Sequence, residues 1–159
     1  MSRSSLEAAV PPNTEILLDT SAVLAYLNAS EAASPAATVV IDDFVRTGRN
    51  RATISVVSVA ETLVYPVAAG AAAVRIVDAF LLHFPNLTVS SIDYAIAREA
   101  ARLRAQTNLK TPDALIIATA LSEGIPIVVA NDAKWADSRL VSPSARGRSR
   151  YVAGLYSPV

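Results

Sequence analysis

The sequence contains no cysteine and only one histidine, His83. Without cysteine, the chain can form no disulfide, no catalytic thiolate and no cysteine-ligated zinc or iron–sulfur site. A single histidine also excludes a metal site built from several histidines. The cysteine-free composition agrees with a cytoplasmic location, which we therefore expect.

An excess of charge of either sign is also missing. The chain has 14 basic and 14 acidic residues, so its overall charge carries no signature of nucleic-acid binding. The basic residues do cluster locally, in three groups: Arg46, Arg49 and Arg51; Arg98, Arg102, Arg104 and Lys110; and Arg146, Arg148 and Arg150. Each group can be a solvated surface or part of a local nucleic-acid site.

Long apolar runs are absent as well. No uninterrupted stretch approaches the ~20 residues that a membrane-spanning helix needs. Residues 1–13 lack the basic start and apolar centre of a signal peptide. They are rich in Ser, Ala and Pro, and we expect a disordered leader before a single domain at residues 14–159. A chain of 159 residues, 52% of them hydrophobic, can bury a sizeable core.

Short apolar runs alternate with amphipathic segments along the chain. The runs predict strands at 15–19, 52–56, 87–89 and 125–130, and a fifth strand can begin at Val141. Helices are predicted between them, and Pro66 is expected to kink or end the one that follows the second strand. This alternation predicts an α/β fold, in which a central, mainly parallel sheet of four to five strands has helices on both faces.

The segment 111–121 predicts a buried helix with an acid at its start. Thr111 is a good N-cap, and Pro112 suits the first helical position, where its missing N–H costs nothing. Asp113 then lies in the first turn, near the positive end of the helix dipole. An almost wholly apolar helix follows, and Gly124 is expected to end it.

Three further acids are predicted near the carboxyl edge of the sheet, where open parallel sheets form their sites. Asp19 closes the first strand, and Asp132 follows the fourth strand by two residues. After the second strand, Ser58 is predicted to start a helix that carries Glu61 in its first turn. Each acid also has a purely structural explanation: Asp19 as a helix cap, Glu61 as a solvated side chain, Asp113 as a dipole partner, and Asp132 as turn chemistry.

Convergence of these four carboxylates would require a cation. Gathered carboxylates repel one another, and some would remain protonated unless a positive ion neutralised them. An all-oxygen cluster without His or Cys suits Mg²⁺ or Mn²⁺.

Four segments together resemble the motifs of PIN-domain ribonucleases, most closely the VapC-type toxins of bacterial toxin–antitoxin pairs. They are Leu17-Leu18-Asp19-Thr20-Ser21-Ala22, Ser58-Val59-Ala60-Glu61, Thr111-Pro112-Asp113-Ala114-Leu115-Ile116-Ile117-Ala118-Thr119-Ala120 and Val129-Ala130-Asn131-Asp132-Ala133-Lys134-Trp135. The resemblance covers about residues 16–140. The chain departs from the usual pattern at Ala130, where Thr or Ser is common, and at Trp135, where Phe is common. The first departure removes a hydroxyl that could support the site.

The resemblance implies a metal-dependent endoribonuclease that leaves 5′-phosphate and 3′-hydroxyl ends. Asp19, Glu61, Asp113 and Asp132 would hold one or two Mg²⁺ or Mn²⁺ ions, some of them through water. Asp19 and Asp113 would bind directly, Glu61 would orient or deprotonate water, and Asp132 would support a second ion or an outer water. Ser21 and Asn131 are expected to support the site. The cations expected at an RNA-binding rim are Arg98, Arg102, Arg104, Lys110 and Lys134.

The resemblance also implies two protein partners. One is a cognate antitoxin, whose C-terminal segment would occlude the acidic groove with an Arg or Lys that reaches the carboxylates. The other is a second copy of the chain, for which the alanine-rich faces at 63–77 would permit close helix packing. Those faces can equally belong to the core.

Two other functional classes have different sequence requirements. A haloacid-dehalogenase-type phosphatase needs an acid where Ser21 stands, and a response-regulator receiver needs an acidic pair where Leu18-Asp19 stands. A PIN-like domain that binds RNA or a partner without cutting remains as the alternative, because Ala130 lacks the usual hydroxyl.

Overall fold

A computed structural model describes residues 2–131 and 150–153 of the chain, the last four by their backbone only. The elements are α1 (Arg3–Ala9), β1 (Ile16–Leu18), α2 (Thr20–Leu27), α3 (Ser34–Thr38), a π-helical segment (Val39–Arg46), β2 (Ala52–Ser55), α4 (Val56–Ala69), α5 (Ala71–His83), β3 (Leu87–Ser90), α6 (Tyr94–Gln106), α7 (Thr111–Glu123), β4 (Ile127–Ala130) and β5 (Arg150–Ala153). Within these described ranges, no helix is both long and apolar enough to cross a membrane.

The five strands form one sheet in the order β3-β2-β1-β4-β5, and every neighbouring pair is parallel. The predicted α/β fold with a mainly parallel sheet of four to five strands is therefore confirmed. All residues of β1, β2 and β4 are buried, as their continuous apolar runs indicate. Because the strands are parallel, their carboxyl ends share one edge of the sheet, and this edge carries the candidate site.

Helices cover both faces of the sheet, as predicted. Along β1, Ile16 and Leu18 belong to one hydrophobic cluster, whereas Leu17 belongs to a second one on the opposite face. The first cluster includes Phe44 of the π-helical segment, and the second includes Ile116 of α7. The alternation follows from the two-residue period of a strand.

The first residues do not form the predicted disordered leader. Residues 3–9 form α1, where Ser2 caps the helix by accepting a hydrogen bond from the Ser5 N–H. Leu6 and Val10 are 1% and 0% exposed and belong to the larger hydrophobic cluster. The prediction was wrong because the two apolar side chains find partners only in the folded core, which composition does not reveal.

Two of the helices near the carboxyl edge of the sheet, α4 and α7, start at other residues than predicted. Helix α4 begins at Val56 rather than after Ser58 and continues through Pro66 to Ala69, so that proline does not end it. Helix α7 begins at Thr111 itself, and its N-cap position is Lys110, which makes no side-chain capping bond. The predicted end of α7 is confirmed, since Gly124 adopts the left-handed conformation with φ 70°.

Candidate active site

Asp19 is the buried centre of the candidate site. It follows β1 directly, caps α2, and is 5% exposed. Its Oδ2 atom accepts hydrogen bonds from the Ser21 N–H at 3.0 Å and from the Ser21 hydroxyl at 2.5 Å. Asp19 therefore does cap a helix, as the sequence allowed, and this capping fixes its carboxylate at the edge of the sheet.

The protonation of Asp19 depends on its burial and on a second acid. Burial raises the pKa of the Asp19 carboxyl, and the nearby charge of Asp113 adds to the increase, while hydrogen bonds from Ser21 and from the Thr20 N–H oppose it. Asp113 is half-buried in the first turn of α7. The structure thus brings these two predicted acids into electrostatic contact, and among the described residues no cation forms an ion pair with Asp19.

Ser21 connects Asp19 to the end of β4. Its Oγ atom accepts a hydrogen bond of 2.8 Å from the Asn131 N–H while its own proton goes to Asp19. The Oδ1 atom of Asn131 is buried and has no hydrogen-bond partner in the described part of the chain. Ser21 therefore holds Asp19 and connects it to the end of β4, and its role in the site stays a prediction. Asn131 adds a buried amide oxygen that has no partner among the described residues.

Glu61 reaches the site through a residue that sequence reasoning missed. It is the sixth residue of α4, not a first-turn residue, and its Oε2 atom accepts a hydrogen bond of 2.5 Å from the Thr20 hydroxyl. Thr20 Oγ1 also lies 3.0 Å from Ser58 Oγ. The one signal in the sequence is the position of Thr20 directly after Asp19.

Buried hydroxyls also fix the helix that carries Asp113. Ser55 caps α4 by accepting a hydrogen bond from the Val57 N–H at 3.4 Å. Thr119 Oγ1 lies 3.3 Å from Ser55 Oγ and donates to the Leu115 carbonyl at 2.8 Å. This contact joins α7 to the end of β2, so the two helices that carry Asp113 and Glu61 share one polar anchor.

The cations predicted at the RNA-binding rim differ in exposure and in ion pairing. Arg98, Arg104 and Lys110 are exposed, and Lys110 immediately precedes the helix of Asp113. Arg102 forms an ion pair with Glu99, in which Arg102 Nη2 lies 2.5 Å from Glu99 Oε1, and it also donates a hydrogen bond to Gln106. This partner holds the pKa of the Glu99 carboxyl below its ordinary value. Two other predicted residues, Asp132 and Lys134, lie outside the described residues.

The donor set fits a hard divalent cation, although the described residues contain no cluster of three or more Asp, Glu, His or Cys side chains that could hold one. Asp19 and Asp113 supply two carboxylates in electrostatic contact, and Glu61, held by Thr20, supplies a third. Asn131 adds an amide oxygen that has no partner among the described residues. All of these donors are oxygens, the ligands that Mg²⁺ and Mn²⁺ prefer. A cation would also offset the repulsion between the carboxylates of Asp19 and Asp113, which is costly because Asp19 is buried.

Comparison with known families gives a match over most of the chain. The family model described as PIN domain matches residues 16–139. No curated protein sequence matches significantly. The matched range spans the strands β1 to β4 and all residues of the candidate site.

Solved structures with the same fold include three from bacterial toxin–antitoxin systems. The Mycobacterium tuberculosis toxin VapC20, described as cleaving the sarcin–ricin loop, has a TM-score of 0.65 and 20% identity, over 77% of this chain and 94% of the other. VapBC2 from Rickettsia felis, bound to a DNA fragment from its promoter, has a TM-score of 0.57 and 19% identity, over 77% and 92%. A toxin–antitoxin complex from Klebsiella pneumoniae has a TM-score of 0.57 and 21% identity, over 77% and 91%.

Proposed function

Because this chain belongs to the PIN-domain family, we propose that it is a metal-dependent endoribonuclease that hydrolyses RNA phosphodiester bonds and serves as the toxin of a type II toxin–antitoxin pair. The observation that carries the proposal is the buried Asp19 carboxylate, which is coupled to Asp113 and connected through Thr20 to Glu61. The fold shared with three proteins of toxin–antitoxin systems supports the toxin assignment.

The chain's own residues have separate roles in this proposal. Asp19 and Asp113 hold Mg²⁺ or Mn²⁺, which when bound lowers the pKa of a coordinated water and offsets charge on the leaving oxygen. Glu61 helps to hold the ion, directly or through water, and orients or deprotonates the attacking water. Asp132 supports a second ion or an outer water. Ser21 keeps the Asp19 carboxylate in one orientation through its short hydrogen bond.

RNA must be held by cations outside this acidic centre, because uncompensated carboxylates repel phosphate. We propose the exposed Arg98 and Arg104 of α6, and Lys110 directly before α7, for this role. Arg102 contributes less, since Glu99 already neutralises it.

The central test is cleavage of single-stranded and hairpin RNA by protein stripped of metal and then supplied with Mg²⁺, Mn²⁺ or Ca²⁺. We expect cleavage with Mg²⁺ or Mn²⁺, and products with 5′-phosphate and 3′-hydroxyl ends. Asp113→Asn should lower the rate at least about 100-fold, because a metal ligand contributes several kcal/mol to transition-state stabilisation.

Asp93→Asn is the matched control for this experiment. Asp93 also stands at the start of a helix, where it caps α6 by accepting a hydrogen bond from the Ile96 N–H, and Asn is an equally good cap. Full activity in a clean Asp113→Asn preparation would contradict the proposal. Tight RNA binding without cleavage by the unaltered protein would support instead the alternative of a catalytically weak PIN-like binding domain.

We further propose a cognate antitoxin whose C-terminal segment occludes the acidic groove and directs an Arg or Lys to the carboxylates. Such a cation would neutralise Asp19 and Asp113 in place of the metal. The measurement is inhibition of RNA cleavage by the co-expressed product of the neighbouring reading frame. Replacement of its C-terminal Arg and Lys residues by Ala should relieve inhibition, whereas unchanged inhibition would refute this mode of binding.

A homodimer is proposed on the basis of the apolar surface of α4 and α5. Five of its large hydrophobic residues are more than 60% exposed: Val64 by 61%, Tyr65 by 78%, Val67 by 65%, Ile76 by 69% and Leu82 by 68%. Light scattering should give the mass of a dimer, and Val64→Asp should give a monomer because it places a charge in the interface. Thr38→Asp, an exposed change on α3, should leave the dimer intact.

A further inference from the structure

Thr20 lies between the acid that closes β1 and the acid on α4. Thr20 is buried, with 8% of its surface exposed. Its Oγ1 atom is 2.5 Å from Glu61 Oε2 and 3.0 Å from Ser58 Oγ. A single hydroxyl thus connects α2 to α4, although 41 positions separate Thr20 from Glu61 in the sequence.

The direction of the protons in this contact follows from hydrogen-bond chemistry. A threonine hydroxyl has one proton, and an ionised carboxylate can only accept. Thr20 therefore has one proton for two acceptors, Glu61 Oε2 at 2.5 Å and the hydroxyl oxygen of the fully buried Ser58 at 3.0 Å. The carboxylate is the shorter contact and the stronger acceptor, so the proton goes mainly to Glu61. The length of 2.5 Å is that of a charge-assisted O–H···O⁻ hydrogen bond.

Glu61 needs such a partner to adopt one orientation. Its side chain has several rotatable bonds and loses considerable conformational entropy when it is held. Among the described residues, only the Thr20 side chain forms a hydrogen bond with the Glu61 carboxylate. One carboxylate oxygen is thereby held, and the other is left for a ligand.

We infer that Thr20 is a positioning residue that holds the Glu61 carboxylate for its work in the acidic centre. The role of Glu61 itself rests on the proposed ribonuclease function. Thr20 acts through Glu61 and has no assigned contact with substrate. Residues that orient a metal ligand in this way contribute about 10- to 100-fold to metal affinity or activity.

The experiment compares Thr20→Val, which keeps the shape but removes the hydroxyl, with Thr20→Ser, which keeps the hydroxyl. Thr62→Val is the matched control, because Thr62 is 1% exposed on the same helix as Glu61 and its hydroxyl has no hydrogen-bond partner among the described residues. For each protein, kcat and KM for RNA cleavage are measured, together with binding of Mn²⁺ by paramagnetic resonance and thermal unfolding.

We expect Thr20→Val to lower kcat by about 10- to 100-fold with little change in KM for RNA, and to weaken Mn²⁺ binding. Thr20→Ser should recover both to within about threefold, and Thr62→Val should match the unaltered protein. The inference is overturned if a folded Thr20→Val retains full kcat and Mn²⁺ affinity, or if Thr20→Ser is as impaired as Thr20→Val.

A separate measurement distinguishes failure of this inference from failure of the proposed function. Carbon-13 NMR of the Glu61 side chain reports its rotamer and mobility without any substrate. We expect a single ordered rotamer in the unaltered protein and rotamer averaging in Thr20→Val. An ordered Glu61 in a protein that never cleaves RNA would leave the positioning role intact and refute the ribonuclease. Equal mobility in both proteins would refute the positioning role itself.

Discussion

Replacement of Asp19 by Asn should separate stability from catalysis in one variant. Burial raises the pKa of Asp19 above the ordinary value of 3.8, and the charge of Asp113 adds to this. The folded protein therefore binds this proton more tightly than the unfolded chain does. As pH rises from below 3.8 to beyond the folded pKa, the free energy of unfolding falls by about 1.4 kcal/mol for each unit by which the two pKa values differ.

At neutral pH and without metal, the native protein therefore carries an unfavourable buried charge that Asn removes. Asn can still cap α2 by accepting the Ser21 N–H, so the capping contribution remains. We expect Asp19→Asn to raise the free energy of unfolding, and Tm with it, by about 1.4 kcal/mol for each unit by which the folded pKa of Asp19 exceeds the unfolded one. RNA cleavage should fall at least about 100-fold in the same variant.

Urea unfolding followed by circular dichroism, near pH 7 and again near pH 4, measures the first effect. The gain in stability should shrink at the lower pH, where Asp19 becomes neutral in the unaltered protein too. Mn²⁺ should stabilise the unaltered protein and not Asp19→Asn, since the ion binds only the native site. Asp93→Asn, the exposed cap of α6, should change stability by less than about 0.5 kcal/mol and leave cleavage unchanged.

The reasoning is refuted by either of two results. One is a metal-free Asp19→Asn that is less stable than Asp93→Asn at neutral pH, which would mean that the charged carboxylate stabilises the fold. The other is equal stabilisation of Asp19→Asn and the unaltered protein by Mn²⁺, which would mean that the ion binds elsewhere.

Three further predictions concern the fold and the RNA-binding rim. Leu6→Ala should lower the free energy of unfolding by about 2–4 kcal/mol in urea titrations, because it leaves a cavity where a side chain that is 1% exposed was packed. A loss below about 0.5 kcal/mol would mean that α1 contributes little to stability. Gly124→Ala should cost about 1 kcal/mol by the same measurement, since φ is 70° there although no atom crowds the site. Arg98→Gln should weaken RNA binding and its salt dependence more than Arg102→Gln, because Glu99 already neutralises Arg102; equal effects in filter-binding titrations would contradict this ranking.

The predictable part of the fold is the part with strong local patterns. The apolar run at β1 and β4 indicated strands buried on both faces, and the segment from Thr111 to Gly124 indicated a buried helix with a glycine end. Helix α1 escaped prediction because seven residues form no stable helix by themselves, and its stability comes from tertiary packing of Leu6.

At the candidate site, the sequence placed the acids at one edge of the sheet and indicated Ser21, but not Thr20, as a residue beside them; the roles of these residues stay predictions. Asp19 and Asp113 are paired as expected, and Ser21 bonds to Asp19. Glu61 was assigned to the wrong turn of its helix because the capping residue of α4 is Ser55, at the end of the strand. The assignment of Asp132 stays a prediction.

By itself, the sequence determined which residue types can carry chemistry and on which edge of a parallel sheet they lie. Hydrophobic periodicity identifies the buried faces, and strand ends locate the acids, because both follow from local backbone geometry. Only the tertiary structure decided which atoms meet: Thr20 with Glu61 across 41 positions, and Ser21 with Asn131 across 110. A hydrogen bond tolerates an error of a few tenths of an ångström, and that precision depends on how helices pack against the sheet, which no local pattern specifies.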